Sequence, residues 1–518
     1  MNKNILWVDD EIAQLAPHKI FLEDKGYRVD GVSSGEEAIE LIKRGEYDLV
    51  LLDEMMPGMD GLTTLEEIRK IDKRVPIVMI TKSEEETLME DAIGKEISDY
   101  LVKPVHPVQI LSTLKKIFDA TRILGQQLTR DYTTEYREMA MRPSINMPFE
   151  EWLEIAYWLA EWDVIFDNHP ELGLYGMHRE FRQECNSEFS RFVLSKYVDW
   201  VNSDRRNRPR MSVDIASERM VPHLKNGKKV FFIVIDCMRL DQWLAVENML
   251  SQYFNIITEP YYSILPTATP YCRNAVFSGL FPRELSKRYP DLWIDPDDES
   301  ASRNRYEHQL LDKLIAQEGV KLPGDTKYIK ILDPEEGESL VQKLKSYLSA
   351  PMSSVVVNFL DILTHSRSAS DVLQEISPDE SGYRSVMKTW FAHSSLFKAL
   401  LSLADEDVAI VITTDHGSTI GRRGVKAFGK KDTSTNLRYK HGDNINCDEK
   451  GGFLIRNPSE WHLPNFTRTT NFLVATEDYY FVYPTNFSQY EKKYRNSFLH
   501  GGISIEEMIV PVATLTPR

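Results

Sequence analysis

Short apolar runs alternate with amphipathic stretches along the N-terminal part of the chain. Five strands that alternate with helices predict a doubly wound parallel sheet with helices on both faces. We expect this first domain to span residues 1–120. The predicted strands are Ile5–Val8, Tyr27–Val32, Leu49–Leu52, Ile77–Ile80 and Tyr100–Val102, and the helical stretches include Gly35–Arg44 and Gly61–Ile71.

The hydrophobic pattern changes to a helical period near Pro107. Apolar side chains recur at helical spacing from Val108 toward Met141, where the signal is interrupted by prolines. Two further apolar-periodic segments follow, near Phe149–Phe166 and Tyr175–Val201. This pattern predicts a small helical bundle, over residues 121–220, that connects two domains.

A second α/β pattern occupies the remainder, which we predict to be one domain over residues 221–518. Val230–Ile235, Ser354–Phe359 and Val408–Thr413 are continuous apolar runs rich in β-branched residues. Such runs suit strands that are buried on both faces of a parallel sheet. The basic segment Arg205–Arg210 precedes this domain and is either a solvated linker or a contact for an anion or a partner. The sequence therefore predicts an α/β multidomain protein with a helical connector.

Composition and charge restrict the class of protein further. The 518 residues are 42% hydrophobic and 27% charged, which is ordinary for globular domains. The formal net charge of −17 argues against a surface that coats nucleic acid. Four cysteines without a CxxC pair suit a reducing compartment and exclude a thiolate zinc knuckle. Because we find neither a secretory signal nor a membrane-length apolar stretch, we expect a cytoplasmic protein without membrane insertion.

Polar side chains follow four strands of the first predicted sheet. Ligand sites of doubly wound sheets gather beyond the carboxyl ends of the strands. Three carboxylates there would repel one another unless a divalent cation such as Mg²⁺ lay among them, and a metal with a lysine neutralises an incoming phosphoryl group. The residues are Asp9 and Asp10 after the first strand, Asp53 after the third, Thr81 after the fourth and Lys103 after the fifth.

This set of residues resembles the receiver domains of two-component response regulators. Tyr100 matches the switch aromatic residue of that family, whereas Lys82 stands where the family often has a small residue, which bears on the rate of dephosphorylation. A sensor histidine kinase is then the expected phosphodonor. The resemblance implies that Asp53 is the phosphoacceptor, that Asp9, Asp10 and Asp53 hold Mg²⁺, that Thr81 senses the phosphoryl group and that Lys103 pairs with it.

Three predicted strands of the second domain end at an aspartate, and histidines lie near two of them. His365 lies four residues after Asp361, which places both on one face if a helix starts there. Mixed Asp/His sites suit Zn²⁺, and six such ligands are enough for two ions with open positions for a substrate. The six candidate ligands are Asp236, Asp361, His365, Asp415, His416 and His500.

This second pattern resembles the alkaline phosphatase superfamily, over roughly residues 225–518, and within it the PglZ-type domains. The stretch Pro266–Thr269, with the later Ser278–Pro282, also resembles the nucleophile region of nucleotide pyrophosphatase/phosphodiesterases. The formylglycine pattern of sulfatases is absent from the sequence, which argues against a sulfatase. The resemblance implies that Thr269 is the nucleophile and that Asp361, His365 and His500 bind one zinc ion. It also implies that Asp236, Asp415 and His416 bind a second zinc ion, to which the Thr269 oxygen is a further ligand.

The sequence departs from the phosphodiesterase pattern at one position. The asparagine that those enzymes carry three residues after the nucleophile is here Cys272. The contacts to the phosphoryl oxygens are therefore open, with Arg273 and Asn274 as the candidates for binding substrate.

A receiver, a helical connector and a PglZ-like domain in one chain resemble the PorX-type response regulators of type IX secretion. The resemblance implies regulation of secretion and contact with a secretion-motor or sigma-factor protein. We also expect phosphorylation to favour a homodimer, because receivers commonly switch through the face near Tyr100.

The expected output is a zinc-dependent phosphodiesterase acting on nucleotides or oligonucleotides, with phosphomonoesters as the second choice of substrate. The alternative is a non-catalytic, metal-containing signalling module that binds partner proteins. A DNA-binding regulator is disfavoured by the acidic charge and by the lack of a helix-turn-helix pattern outside the connector.

Overall fold

The computed structural model of the chain describes residues 3–45, 47–82, 97–294, 304–367, 370–429, 436–448 and 450–518. Two compact units make up the chain, Met1–Asp131 and Tyr132–Arg518. Within the described ranges, no helix is both long enough and apolar enough to cross a lipid bilayer.

The first unit contains the parallel five-stranded sheet that the sequence predicts. Its strands are β1 (Asn4–Val8), β2 (Arg28–Val32), β3 (Leu49–Asp53), β4 (Ile77–Thr81) and β5 (Asp99–Val102), in the order β2-β1-β3-β4-β5. The described helices are α1 (Ala16–Asp24), α2 (Gly35–Ile42), α3 (Gly61–Ile71) and α4 (Pro107–Met139), the last of which extends past this unit. Alternate residues of β1 enter two separate hydrophobic clusters, so both faces of the sheet are covered.

The second unit has many more elements. Its helices are α5 (Phe149–Asn168), α6 (Tyr175–Val201), α7 (Val221–Lys225), α8 (Leu240–Leu250), α9 (Thr269–Ser278), α10 (Pro282–Arg288), α11 (Glu307–Gln317), α12 (Pro334–Gln342), α13 (Leu344–Leu348), α14 (Phe359–Arg367), α15 (Asp371–Ile376), α16 (Glu380–His393), α17 (Ser395–Leu403), α18 (Phe487–Tyr494) and α19 (Ile505–Met508). Its strands are β6 (Lys229–Ile235), β7 (Phe254–Tyr262), β8 (Lys327–Ile331), β9 (Met352–Val357), β10 (Val408–Thr413), β11 (Thr419–Gly421), β12 (Arg423–Phe428), β13 (Tyr439–Asp443), β14 (Asn446–Cys447), β15 (Gly452–Ile455), β16 (Thr470–Ala475), β17 (Tyr479–Val482), β18 (Ser497–Leu499) and β19 (Ile509–Pro517).

A six-stranded sheet organises this unit, in the order β7-β19-β10-β6-β9-β8. Strands β10, β6, β9 and β8 are parallel, whereas β19 runs antiparallel to both β10 and β7. Side chains of β6, β9 and β10 enter two large hydrophobic clusters on opposite faces of the sheet. The continuous apolar runs in the sequence follow from this burial, and the parallel arrangement brings the carboxyl ends of three strands to one edge.

One predicted strand is displaced in the structure. We expected a strand over Ser354–Phe359, but β9 ends at Val357 and Phe359 is the first residue of α14. Phe359 stacks on Trp390, with ring centroids 4.2 Å apart, so it packs as a helix residue rather than in the sheet. Apolar content alone does not show where the strand ends and the helix begins.

Buried ion pairs join the connector helices α5 and α6 to the rest of the second unit. Arg182 of α6 pairs with Asp163 of α5. Arg384 of α16 donates to Asp241 of α8 at 2.8 Å, and its Nη1 lies 3.6 Å from Asp163. Arg239 donates to both carboxylate oxygens of Asp241, each at 2.9 Å. Because a buried ion that loses its partner costs several kcal/mol, this network fixes the connector on the strand-end region of the sheet.

The basic segment Arg205–Arg210 is not a solvated linker. Arg208 is buried and donates to both oxygens of Asp214. Arg205 and Arg210 both pair with Glu218. These arginines are therefore neutralised within the chain, which also leaves them poorly available to an external anion.

Candidate functional site

The receiver residues meet at the carboxyl edge of the first sheet. Lys103 donates to Asp53 at 2.9 Å and to Asp9 at 3.0 Å. Asp9 and Asp53 are buried and Asp10 is exposed, and carboxylate oxygens of all three lie within 4.8 Å of one another. Burial raises the pKa of Asp53, while the hydrogen bond from Lys103 opposes this shift. Oxygen ligands on one side and an ammonium group on the other form a cradle for Mg²⁺ and a phosphoryl group.

Gly61 shapes the loop that follows Asp53. A Cβ atom at this position would lie 2.3 Å from the Asp53 carbonyl oxygen and 2.7 Å from the Glu54 Cα. The Gly61 amide also donates to the Glu54 carbonyl at 2.8 Å. Only glycine permits this close approach, so Gly61 of the Asp60-Gly61 pair is required for the loop to fold back beside the candidate phosphoacceptor.

The remaining receiver candidates lie on neighbouring strands. Thr81 is buried at the end of β4 and its carbonyl accepts from the Lys103 amide at 2.7 Å. Tyr100 lies on β5 with 39% of its surface exposed, a position from which an aromatic side chain can change its burial. Lys82, where we noted the departure from the family pattern, is exposed beside Thr81.

In the second unit, one group of candidate ligands comprises Asp361, His365 and His500. The His500 Nε2 lies 3.1 Å from the His365 Nε2 and 3.5 Å from the Asp361 Oδ1, and the latter lies 3.3 Å from the His365 Nε2. Ligand atoms bound tetrahedrally to zinc lie roughly 3.3 Å apart, given bonds of about 2.0–2.1 Å. The triangle therefore has the size that one zinc ion requires, and α14 places Asp361 and His365 one turn apart as the sequence predicted.

The second group comprises Asp236, Asp415 and His416, all fully buried. The His416 Nε2 lies 3.9 Å from the Asp236 Oδ1 and 3.8 Å from the Asp415 Oδ2. The Asp415 Oδ2 is buried without a hydrogen-bond partner among the described residues. An orphaned carboxylate oxygen between a second carboxylate and an imidazole fits a cation, because burial without a counter-charge is costly.

The two groups are adjacent. The His416 and His500 rings stack with their centroids 4.3 Å apart and an interplanar angle of 17°. Each histidine keeps an Nε2 atom directed at the carboxylate of its own group. The arrangement therefore suits two metal positions side by side, as in enzymes that hold both ends of an in-line displacement.

The protonation states of the first group favour metal binding. Burial, together with the nearby His416, lowers the pKa of His500 to about 3, so this imidazole is neutral with a free lone pair. Burial raises the pKa of Asp361, but His365 and His500 outweigh it and the pKa lies below its ordinary value. The hydrogen bond to Asp361 raises the pKa of His365. A metal ion would displace the proton that the His365–Asp361 pair shares.

The second group contains two buried carboxylates close together, with Arg273 as a neighbouring positive charge. Burial raises the pKa of Asp236 well above its ordinary value, although Arg273 opposes the shift. Burial also acts on Asp415, but His416 and Arg273 hold the pKa of that carboxyl below its usual range. Burial and the neighbouring Asp415 thus oppose ionisation of Asp236, and a divalent cation held by the group would relieve that opposition.

Thr269 occupies the first turn of α9, beside the second group. Its Oγ1 lies 3.1 Å from the His416 Nε2 and 3.4 Å from the Asp236 Oδ1. The start of a helix directs backbone N–H groups outward and favours negative charge, which suits an approaching phosphoryl group. The hydroxyl is thus placed between a candidate metal position and a helix N-terminus.

The two candidate substrate contacts are placed differently. Arg273 is buried and donates to both Asp236 and Glu307. Asn274 donates to the Pro270 carbonyl of its own helix at 2.9 Å. Cys272, at the position of the phosphodiesterase asparagine, is fully buried, and its thiol donates to the Pro266 carbonyl oxygen. Of the two, Arg273 is the one beside a candidate metal ligand.

Several residues that we did not single out in the sequence support this site. Asn358 follows β9 and donates to Asp236 at 2.9 Å, Asn304 donates to the Thr269 carbonyl at 3.2 Å, and Glu307 bridges Arg273 and Tyr328. Asn358 was within reach of the strand-end argument, because it is the first polar residue after a buried strand. Asn304 and Glu307 carried no such signal, since neither follows a strand.

The loop that carries His500 is held by neighbours on both sides. Thr267 donates to the Gly502 carbonyl at 2.8 Å and accepts from the Gly501 amide at 3.1 Å. Glu507, fully buried, accepts from the Gly502 amide at 2.8 Å. Thr267, two residues before Thr269, therefore has a structural role, because its hydrogen bonds hold the loop that carries His500.

Three family models match the chain. A response regulator receiver domain covers residues 5–115, a PorX response regulator linker domain covers 122–201, and a BREX system PglZ alkaline phosphatase-like domain covers 215–515. The last match alone takes in more than half of the chain. Receiver domains bind Mg²⁺, and alkaline phosphatase-like domains generally use metal ions, which agrees with the three carboxylate and histidine groups.

Individual relatives match the receiver end of the chain. The chain is 34% identical over 185 residues to the transcriptional regulatory protein SrrA of Staphylococcus aureus, covering 33% of this chain and 76% of that protein. Among solved structures, CheY4 of Vibrio cholerae is 28% identical over 22% of this chain and 98% of its own, with a TM-score of 0.22. A CheY-like receiver domain of Methanospirillum hungatei is 29% identical, over 24% of this chain and 98% of its own, with a TM-score of 0.23.

The order of these segments also agrees with the fold. A five-stranded parallel sheet carries the acidic cluster, two long helices follow it, and a second α/β unit carries the paired Asp/His groups. The chain belongs to the PglZ alkaline phosphatase-like family and is a PorX-like two-component response regulator, with a receiver domain and a PorX linker domain ahead of its PglZ domain.

Proposed function

We propose that the PglZ domain is a zinc-dependent phosphodiesterase with Thr269 as its nucleophile. The observation that carries this proposal is the position of the Thr269 Oγ1, 3.1 Å from His416 and 3.4 Å from Asp236, within a group that fits a metal ion. A threonine hydroxyl is a weak nucleophile until a base, a metal or a lowered pKa activates it. A bound divalent metal supplies the Lewis acidity that lowers the pKa of a neighbouring hydroxyl.

The proposed reaction has two displacements. The Thr269 oxygen gives up its proton to solvent and forms a bond to phosphorus, while the bond from phosphorus to the leaving oxygen breaks and that oxygen takes a proton as an alcohol. Water then attacks the phosphothreonine, releases a phosphomonoester and restores the hydroxyl. Arg273 lies beside Asp236 and offers a guanidinium group for the phosphoryl oxygens.

We propose Asp53 as the residue that a sensor histidine kinase phosphorylates. Its carboxylate is buried beside Asp9 and accepts a hydrogen bond from Lys103 at 2.9 Å. Lys103 is charged there: burial alone would lower its pKa, but the hydrogen bonds to Asp53 and Asp9 raise it above the ordinary value. The same ammonium group would then pair with the phosphoryl group.

Nucleotide or oligonucleotide phosphodiesters are the substrates we propose, and the proposed biological role is control of type IX secretion. The match to the PorX linker domain over residues 122–201 supports that role. A secretion-motor or sigma-factor protein is the corresponding partner. Deletion of the gene should reduce type IX secretion, and normal secretion by the deletion strain would remove the basis for this role.

Hydrolysis of bis-p-nitrophenyl phosphate tests the catalytic proposal. The chelated protein should be inactive, and the activity should return on addition of about two equivalents of Zn²⁺, because the structure offers two adjacent ligand groups. The monoester p-nitrophenyl phosphate, at the same concentration, should turn over more slowly. If the zinc-loaded protein binds the metal with full stoichiometry but hydrolyses neither ester, the domain is a non-catalytic signalling module that binds partners.

We also propose that phosphorylation favours a homodimer. Apolar side chains are exposed on β5 and along the first part of α4, among them Tyr100, Val108 and Ile123 at 39%, 66% and 55%. Exposed apolar surface of this kind suits a second copy of the same face. Sedimentation equilibrium with and without beryllofluoride should show a higher mass in the activated sample. Equal masses at all concentrations would contradict the proposal.

A further inference from the structure

A second cavity, of about 390 Å³, lies between the connector helix α6 and the PglZ domain. Its walls come from α6, from the start of β11 and β12, from the turn before β17, and from one residue each of α16 and α19. Neither Thr269 nor any of the six candidate metal ligands lines it. The cavity is therefore separate from the proposed catalytic centre.

The carboxylates of this cavity are already neutralised. Arg423 pairs with both Glu477 and Asp478. Glu506 lies 3.6 Å from the Arg182 guanidinium and also accepts two hydrogen bonds from the Asn186 amide, at 3.0 and 3.2 Å. Glu380, the fourth carboxylate, accepts from Arg239 at 3.2 Å. A cation is thus not needed to balance the acidic groups.

The donors of the cavity, in contrast, are left over. Arg179 and Arg422 line it, and within the ranges that the structure describes neither guanidinium has an ion-pair or hydrogen-bond partner. The Thr419 side chain is only 5% exposed, and its hydroxyl likewise has no partner in those ranges. Because Thr419 lines the cavity, its hydroxyl is available to a ligand there. The Gln183 amide adds another unpaired donor.

We propose that this cavity binds a compact phosphoryl-bearing anion. Two planar guanidinium groups match the oxygens of a phosphoryl group, and a hydroxyl and an amide complete the set of donors. The volume lies near the lower end of the range of small-molecule sites, roughly 300–1,000 Å³. Among the described residues of the lining, Ile420 is the one apolar side chain, and none is aromatic and able to stack on a base. The ligand is therefore small and highly charged rather than an oligonucleotide.

Short segments of the chain join the cavity to the proposed catalytic centre, so a ligand in the cavity can affect the position of the candidate metal ligands. Thr419 follows His416 by three residues in the chain. The Glu477 amide donates to the Ile503 carbonyl at 2.8 Å, three residues beyond His500. The same amide donates to Ser190 of the connector helix at 3.2 Å. The ligand thus binds where the connector meets both loops that carry candidate metal ligands.

Calorimetry with pyrophosphate on the full-length, chelator-treated protein tests this site, because removal of metal ions disables the other two anion sites. Wild type should bind one equivalent. The Arg179→Gln/Arg422→Gln variant should bind at least about tenfold more weakly, since it loses both charge-assisted contacts to the phosphoryl oxygens. Arg191→Gln is the matched control, on the same helix but outside the cavity and paired with Glu188. It should bind as wild type does.

The single variant Arg179→Gln guards against misfolding, because this side chain is exposed and its loss should leave the melting temperature unchanged. It should still weaken pyrophosphate binding. Wild-type affinity in the double variant, or no binding to wild type at millimolar pyrophosphate, would overturn the proposal. Tighter binding of citrate than of pyrophosphate would overturn the phosphoryl assignment. Each of these results is independent of whether the zinc-loaded protein hydrolyses a phosphodiester.

Discussion

Thr269→Val is expected to lower phosphodiester hydrolysis by roughly four orders of magnitude, as when a nucleophile is lost from a set of residues that act as one unit. Valine keeps the shape of the side chain and removes only the oxygen that lies 3.1 Å from His416. The fold and most of the zinc should be retained, because the variant keeps all six carboxylate and imidazole residues of the two ligand groups. The readouts are kcat/KM for bis-p-nitrophenyl phosphate and zinc per chain by atomic absorption.

Thr267→Val is the matched control, two residues away in the same loop. Its hydroxyl bonds to Gly501 and Gly502 hold the segment that carries His500, so this variant should bind zinc more weakly. Excess zinc should restore its activity, whereas it should not rescue Thr269→Val. If Thr269→Val keeps the wild-type rate while Thr267→Val is inactive even with excess zinc, Thr267 is the nucleophile. If both stay active, a metal-activated water replaces the covalent mechanism.

Strand ends were the part of the site that the sequence could predict. The carboxyl ends of parallel strands meet at one edge of a sheet, so Asp236 and Asp415 were expected at the same edge once their strands were predicted to belong to one parallel sheet. The structure adds that β6 and β10 are direct neighbours. The same argument applied to Asp9 and Asp53 in the first sheet. Local spacing was enough for Asp361 and His365, because a helix places residues four apart on one face.

Contacts between distant segments could not be predicted in this way. Arg273 remains our proposed contact for the phosphoryl oxygens, but the sequence did not show that its guanidinium also donates to Asp236 and Glu307, which are 37 and 34 residues away. The basic segment at residues 205–210 was predicted to be either a solvated linker or a contact for an anion or a partner, but Arg208 is buried against Asp214. Such pairs depend on how helices and loops pack, and a charge pattern in one segment does not record the partner in another.

The structure gives Gly417 a role that its short sequence motif does not indicate. In the sequence, Asp415-His416-Gly417 could be an ordinary turn. In the structure, a Cβ atom at Gly417 would lie 1.9 Å from the Glu506 carbonyl oxygen, so glycine is required for the loop of His416 to pack against α19. The motif is therefore a packing constraint on the metal group as well as a set of ligands.

Asp53→Ala is expected to abolish labelling of the protein by acetyl phosphate in the presence of Mg²⁺. Asp53 is the carboxylate at the end of β3 that accepts a hydrogen bond from Lys103, whereas Asp9 lies at the neighbouring strand β1. Alanine removes the carboxylate that lies beside Lys103 and leaves the sheet residues before it in place. Incorporation is measured by intact mass or by Phos-tag electrophoresis, with one phosphoryl group per wild-type chain.

Asp48→Asn provides the matched control, because Asp48 precedes β3 and so lies at the opposite edge of the same sheet. Its carboxylate accepts from the Asn4 amide at 2.8 Å and pairs with Lys3, contacts of a partly exposed surface. Loss of such a surface pair costs at most about 1 kcal/mol, so this variant should fold and be labelled as wild type is. Undiminished labelling of Asp53→Ala would show that another carboxylate accepts the phosphoryl group. Loss of labelling in both variants would instead indicate that the sheet, and not one strand end, had been disturbed.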